Sequence, residues 1–146
     1  MNSWGFIMKK YVNMKFNAIL ENVTFARGTV ASFLIDEELT INELNEIKTI
    51  VSEGITNAIV HGYLEDKTKE VEFIMELEND KLTITIKDKG VGIEDVRKAR
   101  EPLFSTKLET ERAGLGFTIM EIFSDELEVI SKLNEGTTVI AKKILK

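Results

Sequence analysis

The readable pattern begins with a period of two. Val12, Met14, Phe16 and Ala18 alternate with Tyr11, Asn13, Lys15 and Asn17, which predicts a strand with one buried face. From Glu21 to Ile35 the period lengthens, and Val23, Ala26, Val30, Phe33 and Leu34 recur at helical spacing. Asp36-Glu37-Glu38 is a polar break. Thr40 with Glu43 forms a capping box. Beyond it Ile41, Leu44, Ile47, Ile50, Val51, Ile55, Ala58 and Ile59 draw an apolar stripe along a long helix that Gly62 stops. Two alternating runs follow, Val71 to Leu77 and Leu82 to Ile86, on either side of Glu78-Asn79-Asp80, as in an antiparallel hairpin. Glu94 to Glu101 predicts a short helix ended before Pro102. Residues 102–116 carry no clean period. Phe117 to Phe123 reads as a helix, and Leu127 to Leu133 with Thr137 to Leu145 as a closing hairpin. Helices that segregate from an antiparallel sheet predict an α+β fold, a two-layer sandwich with the helices on one face. Residues 11–146 form that single domain in this reading, with residues 1–10 as a loose extension.

Composition narrows the chemistry. The 146 residues suit one domain with a sizeable core, and the absence of cysteine excludes disulfides, thiol nucleophiles and thiolate metal sites. With 25 acidic and 19 basic residues the net charge is −6, which argues against nucleic acid as a direct partner. No apolar run approaches the roughly 20 residues that span a bilayer. The apolar patch from Trp4 to Met8 lacks the basic start and cleavage site of a signal peptide, so a cytoplasmic setting is expected. One stretch departs from the acidic balance: Arg97, Lys98, Arg100 and Lys107 stand against Glu101 alone. A triphosphate would suit that place.

Four short patterns carry candidate chemistry. Glu53, Asn57 and His61 stand four residues apart and share one face of the long helix. A carboxylate there can take a proton from a hydroxyl or water. An amide oxygen one turn on can ligate Mg²⁺, which prefers hard oxygen ligands. His61, close to the helix end, fits packing or the helix dipole. Asp88-Lys89-Gly90-Val91-Gly92 directly follows a strand. Its aspartate can accept from an exocyclic amine, and its glycines let backbone approach a flat ring. Gly114-Leu115-Gly116-Phe117 opens a helix, where exposed N–H groups suit phosphate oxygens. Gly136-Thr137-Thr138 begins the last strand with a hydroxyl able to donate to a ring nitrogen or hold a water. Taken singly, each has an ordinary structural reading: a solvated helix edge, a turn, a flexible loop, a strand threonine.

Their order is more informative. A helical ExxxN, DxGxG after a strand, GxG before a helix and GT before a strand form the motif series of the GHKL ATPases (the Bergerat fold). The chain resembles their small bacterial anti-sigma branch with serine kinase activity, most of all its F-type sporulation members. The likeness runs from Met14 to Lys143. It includes Phe25-Ala26-Arg27, Thr56-Asn57-Ala58-Ile59, His61-Gly62-Tyr63 and Pro102-Leu103-Phe104-Ser105-Thr106-Lys107.

The resemblance implies ATP or ADP with Mg²⁺ as ligands. It makes Glu53 the general base, Asn57 the Mg²⁺ ligand, and Asp88, supported by Thr137, the holder of the adenine amino group. Gly90 and Gly92 would line the base pocket. Residues 101–116 would form a mobile segment over the phosphates, with Thr106 and Lys107 meeting them and Gly114, Leu115, Gly116 and Phe117 wrapping them. It further implies a homodimer that binds and inhibits an F-type sigma factor and phosphorylates an anti-anti-sigma antagonist on serine. Arg27, with Gly28, interrupts the first helix in this reading and suits a partner-contact face. Two other functions share the motifs. One is a regulatory binding module with ATP as a structural ligand. The other is the catalytic fragment of a histidine kinase, although the chain's single histidine, His61, lies in the nucleotide-site helix itself.

Overall fold

A computed structural model describes the backbone of residues 9–101 and 108–145, and the side chains of 9–101 and 115–145. Five strands, β1 (Lys9–Asn17), β2 (Glu70–Glu78), β3 (Lys81–Asp88), β4 (Glu126–Lys132) and β5 (Gly136–Ile144), form one sheet in the order β1-β2-β3-β5-β4. Every neighbouring pair is antiparallel. Four helices accompany it: α1 (Glu21–Phe33), α2 (Ile41–Asn57), α3 (Val96–Arg100) and α4 (Leu108–Phe123). The expected α+β two-layer architecture is the one observed.

Strand periodicity decides which side chains meet the helices. Met14, Phe73, Ile86, Val139 and Val129 stand in one cross-strand row on the covered face. Tyr11, Asn13, Lys15 and Lys87, of the opposite parity, are exposed. From α2 come Ile47, Ile50, Val51 and Ile55, all fully buried against this layer. Burial of each such side chain contributes roughly 1.5–3 kcal/mol. One step along the strands from that apolar row, the same face carries Asp88, Thr137 and Ser131 in register. The alternation that builds the core thus also turns three polar side chains into the covered layer.

The Thr40 hydroxyl accepts from the Glu43 backbone N–H at 3.0 Å, so the capping box starts α2 as its sequence predicts. The helix does not simply stop at Gly62. Ala58–Gly62 forms a π-helical turn, closed by Tyr63 N–H donating to the Ala58 carbonyl at 2.9 Å. Leu64 and Glu65 then adopt left-handed φ values of 52° and 60°.

Three further details differ from the sequence expectations. β1 starts at Lys9, so the boundary drawn after residue 10 falls inside a paired strand. α1 runs unbroken through Arg27 and Gly28, because one exposed glycine costs a helix only about 1 kcal/mol. α4 begins at Leu108, nine residues before the expected start at Phe117. Gly114 and Gly116 therefore lie within α4 and do not open it. Leu108, Glu109, Glu111, Arg112 and Ala113 are good helix formers, and the glycines after them masked the period.

Candidate functional site

A cavity of about 230 Å³ opens between the end of α2, the end of β3, the start of β5 and α3. Its walls are mainly apolar, with Ala58, Ile86, Ile93, Phe117 and Val139, and Asp88 and Thr137 contribute the polar end. Asp88 is 9% exposed. Burial pushes its carboxyl above the ordinary value of 3.8, against the pull of the Gly90 and Thr137 backbone N–H groups that it accepts. A flat apolar slot ending in one buried carboxylate is complementary to an aromatic ring bearing an amine.

The loop after Asp88 is held at several points. Gly90 N–H donates to Asp88 Oδ1 at 2.9 Å, Val91 N–H to the Gly62 carbonyl at 2.9 Å, and Ile93 N–H to Ser131 Oγ at 2.8 Å. Lys89 N–H donates to the Tyr63 hydroxyl at 2.8 Å, and that hydroxyl donates to the Glu70 carbonyl at 2.6 Å. Ser131 Oγ also lies 2.7 Å from Thr137 Oγ1. Two glycines permit the arrangement. A Cβ on Gly90 would lie 2.0 Å from the Gly62 carbonyl oxygen. Gly136 has a φ of +112°, and its Cβ would lie 2.0 Å from the Asp88 carbonyl oxygen.

Beside this cavity runs a groove of about 630 Å³, lined by Glu53, Asn57, Val60, His61, Leu115 and Gly116. Asn57 and His61 border both spaces. Gly116 faces the α2 pair: a Cβ there would lie 3.1 Å from Asn57 Nδ2 and 3.4 Å from Glu53 Oε2. Among the described residues, Asn57 Nδ2 is the buried side-chain polar atom left without a hydrogen-bond partner. Such a group costs about 1–3 kcal/mol, which a polar ligand in the groove would offset. Among the described residues no three His, Asp or Glu side chains gather as a metal cage. A Mg²⁺ here would therefore be held by Asn57 together with substrate phosphates and water, its usual manner with nucleotides. The residues present fit that group.

The family model of the histidine kinase-like ATPase domain matches residues 16–143. The chain is 51% identical over 132 residues to the anti-sigma F factor of Anoxybacillus flavithermus, covering 90% of each protein. It is 51% identical over 138 residues to that of Shouchella clausii, covering 94% of each. The chain belongs to the histidine kinase-like ATPases, in the anti-sigma F factor family. Among solved structures, the RsbU and RsbW domains of Rv1364c from Mycobacterium tuberculosis share its fold, with a TM-score of 0.67 at 17% identity. That likeness covers 93% of this chain and 32% of the longer one. A blue-light activated histidine kinase from Erythrobacter litoralis matches with a TM-score of 0.56 at 18% identity.

Within this anti-sigma F family member, the structure brings Asn57, Asp88, Gly92, Phe117 and Thr137 to the apolar cavity. It brings Glu53, Asn57, Leu115 and Gly116 to the adjoining groove. Gly90 stands behind the cavity wall against Gly62. Gly114 lies in the backbone of α4, and the expectations for Thr106 and Lys107 fall outside the described residues. Of the basic stretch, Lys98 borders the cavity, while Arg100 pairs with Glu121 at 3.4 Å. Arg27 is half-buried and donates to the Ser52 hydroxyl at 2.9 Å. It therefore ties α1 to the residue beside Glu53. Sequence reasoning missed Gly62, Tyr63 and Ser131 as parts of the site. Tyr63 follows His61-Gly62 directly, so its place after the helix stop was the available signal. Ser131 had none, since its partner Ile93 is 38 residues away.

No helix among the described residues is long and apolar enough to cross a membrane.

Proposed function

We propose that this chain is a cytoplasmic anti-sigma factor and protein serine kinase. It binds and inhibits a sporulation sigma factor as a homodimer, and it uses Mg·ATP to phosphorylate the anti-anti-sigma protein that opposes it. One observation carries the reading. A base-sized cavity ending in the buried Asp88 adjoins a groove where Glu53 and the unpartnered amide of Asn57 stand one helical turn apart.

Asp88 accepts from the adenine amino group, and the apolar walls take the ring. Asn57 offers its amide oxygen to Mg²⁺, which when bound neutralises charge on the phosphates. Glu53 takes the proton from the incoming serine hydroxyl. The serine oxygen forms its bond to the γ-phosphorus as the bond to the β-phosphate bridging oxygen breaks, and ADP leaves. Positioning and charge neutralisation provide most of the acceleration in such transfers. Arg27, at the surface of α1 yet bonded to Ser52, suits a partner-contact residue with a link to the active helix.

The test incubates the purified chain with Mg·ATP and a candidate anti-anti-sigma protein, and reads phosphoserine on that protein. Transfer is expected. Nucleotide binding without any transfer would instead identify a regulatory module that keeps ATP as a structural ligand.

A further inference from the structure

We propose that Tyr63 is a positioning residue that sets base selectivity, by fixing the Asp88 loop to the π-helical turn through its hydroxyl. The inference rests on the nucleotide-site reading above and adds to it a residue that never touches the base.

The geometry is a three-point junction. Tyr63 leaves the π-helical turn, and its hydroxyl meets Glu70 at the start of β2 and Lys89 just past the end of β3. The side chain is 7% exposed. Burial, working against the Lys89 N–H that it accepts, holds its phenol above the usual range, so the hydroxyl keeps its proton. A neutral phenol can donate once and accept at the same oxygen. Both capacities are used here, one toward the Glu70 carbonyl and the other toward the Lys89 N–H.

Lys89 immediately follows Asp88, so the hydroxyl sets the backbone from which the base-reading carboxyl projects. Without it, the Lys89 N–H and the Glu70 carbonyl both lose their partner. Relief comes when the loop tilts outward toward water, and that tilt carries Asp88 away from the base edge. Of the apolar walls, Phe117 and Val139 are on other elements and Ile86 is held in the β3–β5 ladder opposite Val139, so they stay in place. Loss of the hydroxyl therefore weakens recognition of the amine more than it weakens stacking of the ring.

The experiment compares ADP with IDP, which carries a carbonyl in place of the 6-amino group. Affinities are measured by calorimetry for the wild-type chain, Tyr63→Phe and Asp88→Asn, with thermal denaturation to show that each is folded. The wild type should prefer ADP by on the order of 100-fold, the ratio that one hydrogen bond to a charged group corresponds to. Tyr63→Phe should cut that ratio to about 10-fold or less, with IDP affinity nearly unchanged. A purely structural tyrosine would weaken both ligands equally, and an unchanged ratio in Tyr63→Phe would overturn the proposal. A wild-type ratio near one, matched by Asp88→Asn, would overturn the base-pocket reading itself and the positioning role with it.

Discussion

The two ends of the site that we propose for the nucleotide are built differently. At the base end, the polar groups named are satisfied inside the protein. Asp88 accepts from two backbone N–H groups, Thr137 meets Ser131, and the loop's N–H groups end on Tyr63, Gly62 and Ser131. At the phosphate end, the buried Asn57 amide has no partner, and the bare Cα of Gly116 stands over it. A pre-formed base pocket selects its ligand by shape and one hydrogen bond. A groove with an unsatisfied amide leaves interactions to be made when phosphate, metal and hydroxyl arrive. In that proposal binding and chemistry fall to separate elements, the paired ends of β3 and β5 on one side and α2 on the other, and substitutions should separate them.

The largest expected effect is on chemistry alone. Glu53→Gln should lower phosphoryl transfer by about 10²- to 10⁴-fold while ATP affinity stays within about threefold. Wild-type transfer rates in this variant would remove Glu53 from the base role. Asp88→Asn breaks the other end. Nucleotide affinity should fall by about 10- to 100-fold, read by calorimetry, yet the nucleotide-free chain should melt higher. The sign follows from linkage. Burial raises the native pKa of Asp88, so in the pH window just above 3.8 the folded apoprotein holds the proton to a greater extent than the unfolded chain does. Its contribution to stability is therefore lost as pH rises through the window above 3.8. Nucleotide affinity should run oppositely, rising with pH as the carboxylate forms. Melting curves across pH that are identical for wild type and Asp88→Asn would contradict this.

Asn57→Ala should weaken Mg·ATP by about tenfold, and removing an unpaired buried amide should cost the apoprotein little. Wild-type affinity of Asn57→Ala for Mg·ATP would take Asn57 out of the metal site. The smallest effect tests the connection between the two ends. Leu64 is left-handed and 68% exposed. Leu64→Gly should therefore raise stability by about 0.5–1 kcal/mol in chemical denaturation. A loss instead would mean that its side chain packs more than its exposure suggests.

Much of this was legible in advance. Alternation in Val71 to Leu77 and Leu82 to Ile86 gave the central hairpin, and Thr40 with Glu43 gave the start of α2. Asp88 and Thr137 were readable as candidates because each sits at a strand end beside glycine. The part of helix α4 before Phe117 was not, because Gly114 and Gly116 interrupt the apolar period that identifies helices. The π-helical turn leaves no periodic trace over five residues. Ser131 and Tyr63 enter the site through hydrogen bonds to residues far off in sequence, which periodicity cannot register.

The π-helical turn also makes chain length a specification. It holds one residue more than an α-helical turn closing over the same rise. Rewinding residues 58–62 as a plain α-helix, with none removed, would swing everything after them by about 100°. Glu53 and Asn57 would keep their places, while Gly62 and Tyr63 would rotate off the base loop. The spacing between the two ends of the proposed site is thus encoded in how this one turn winds, as well as in which residues it holds.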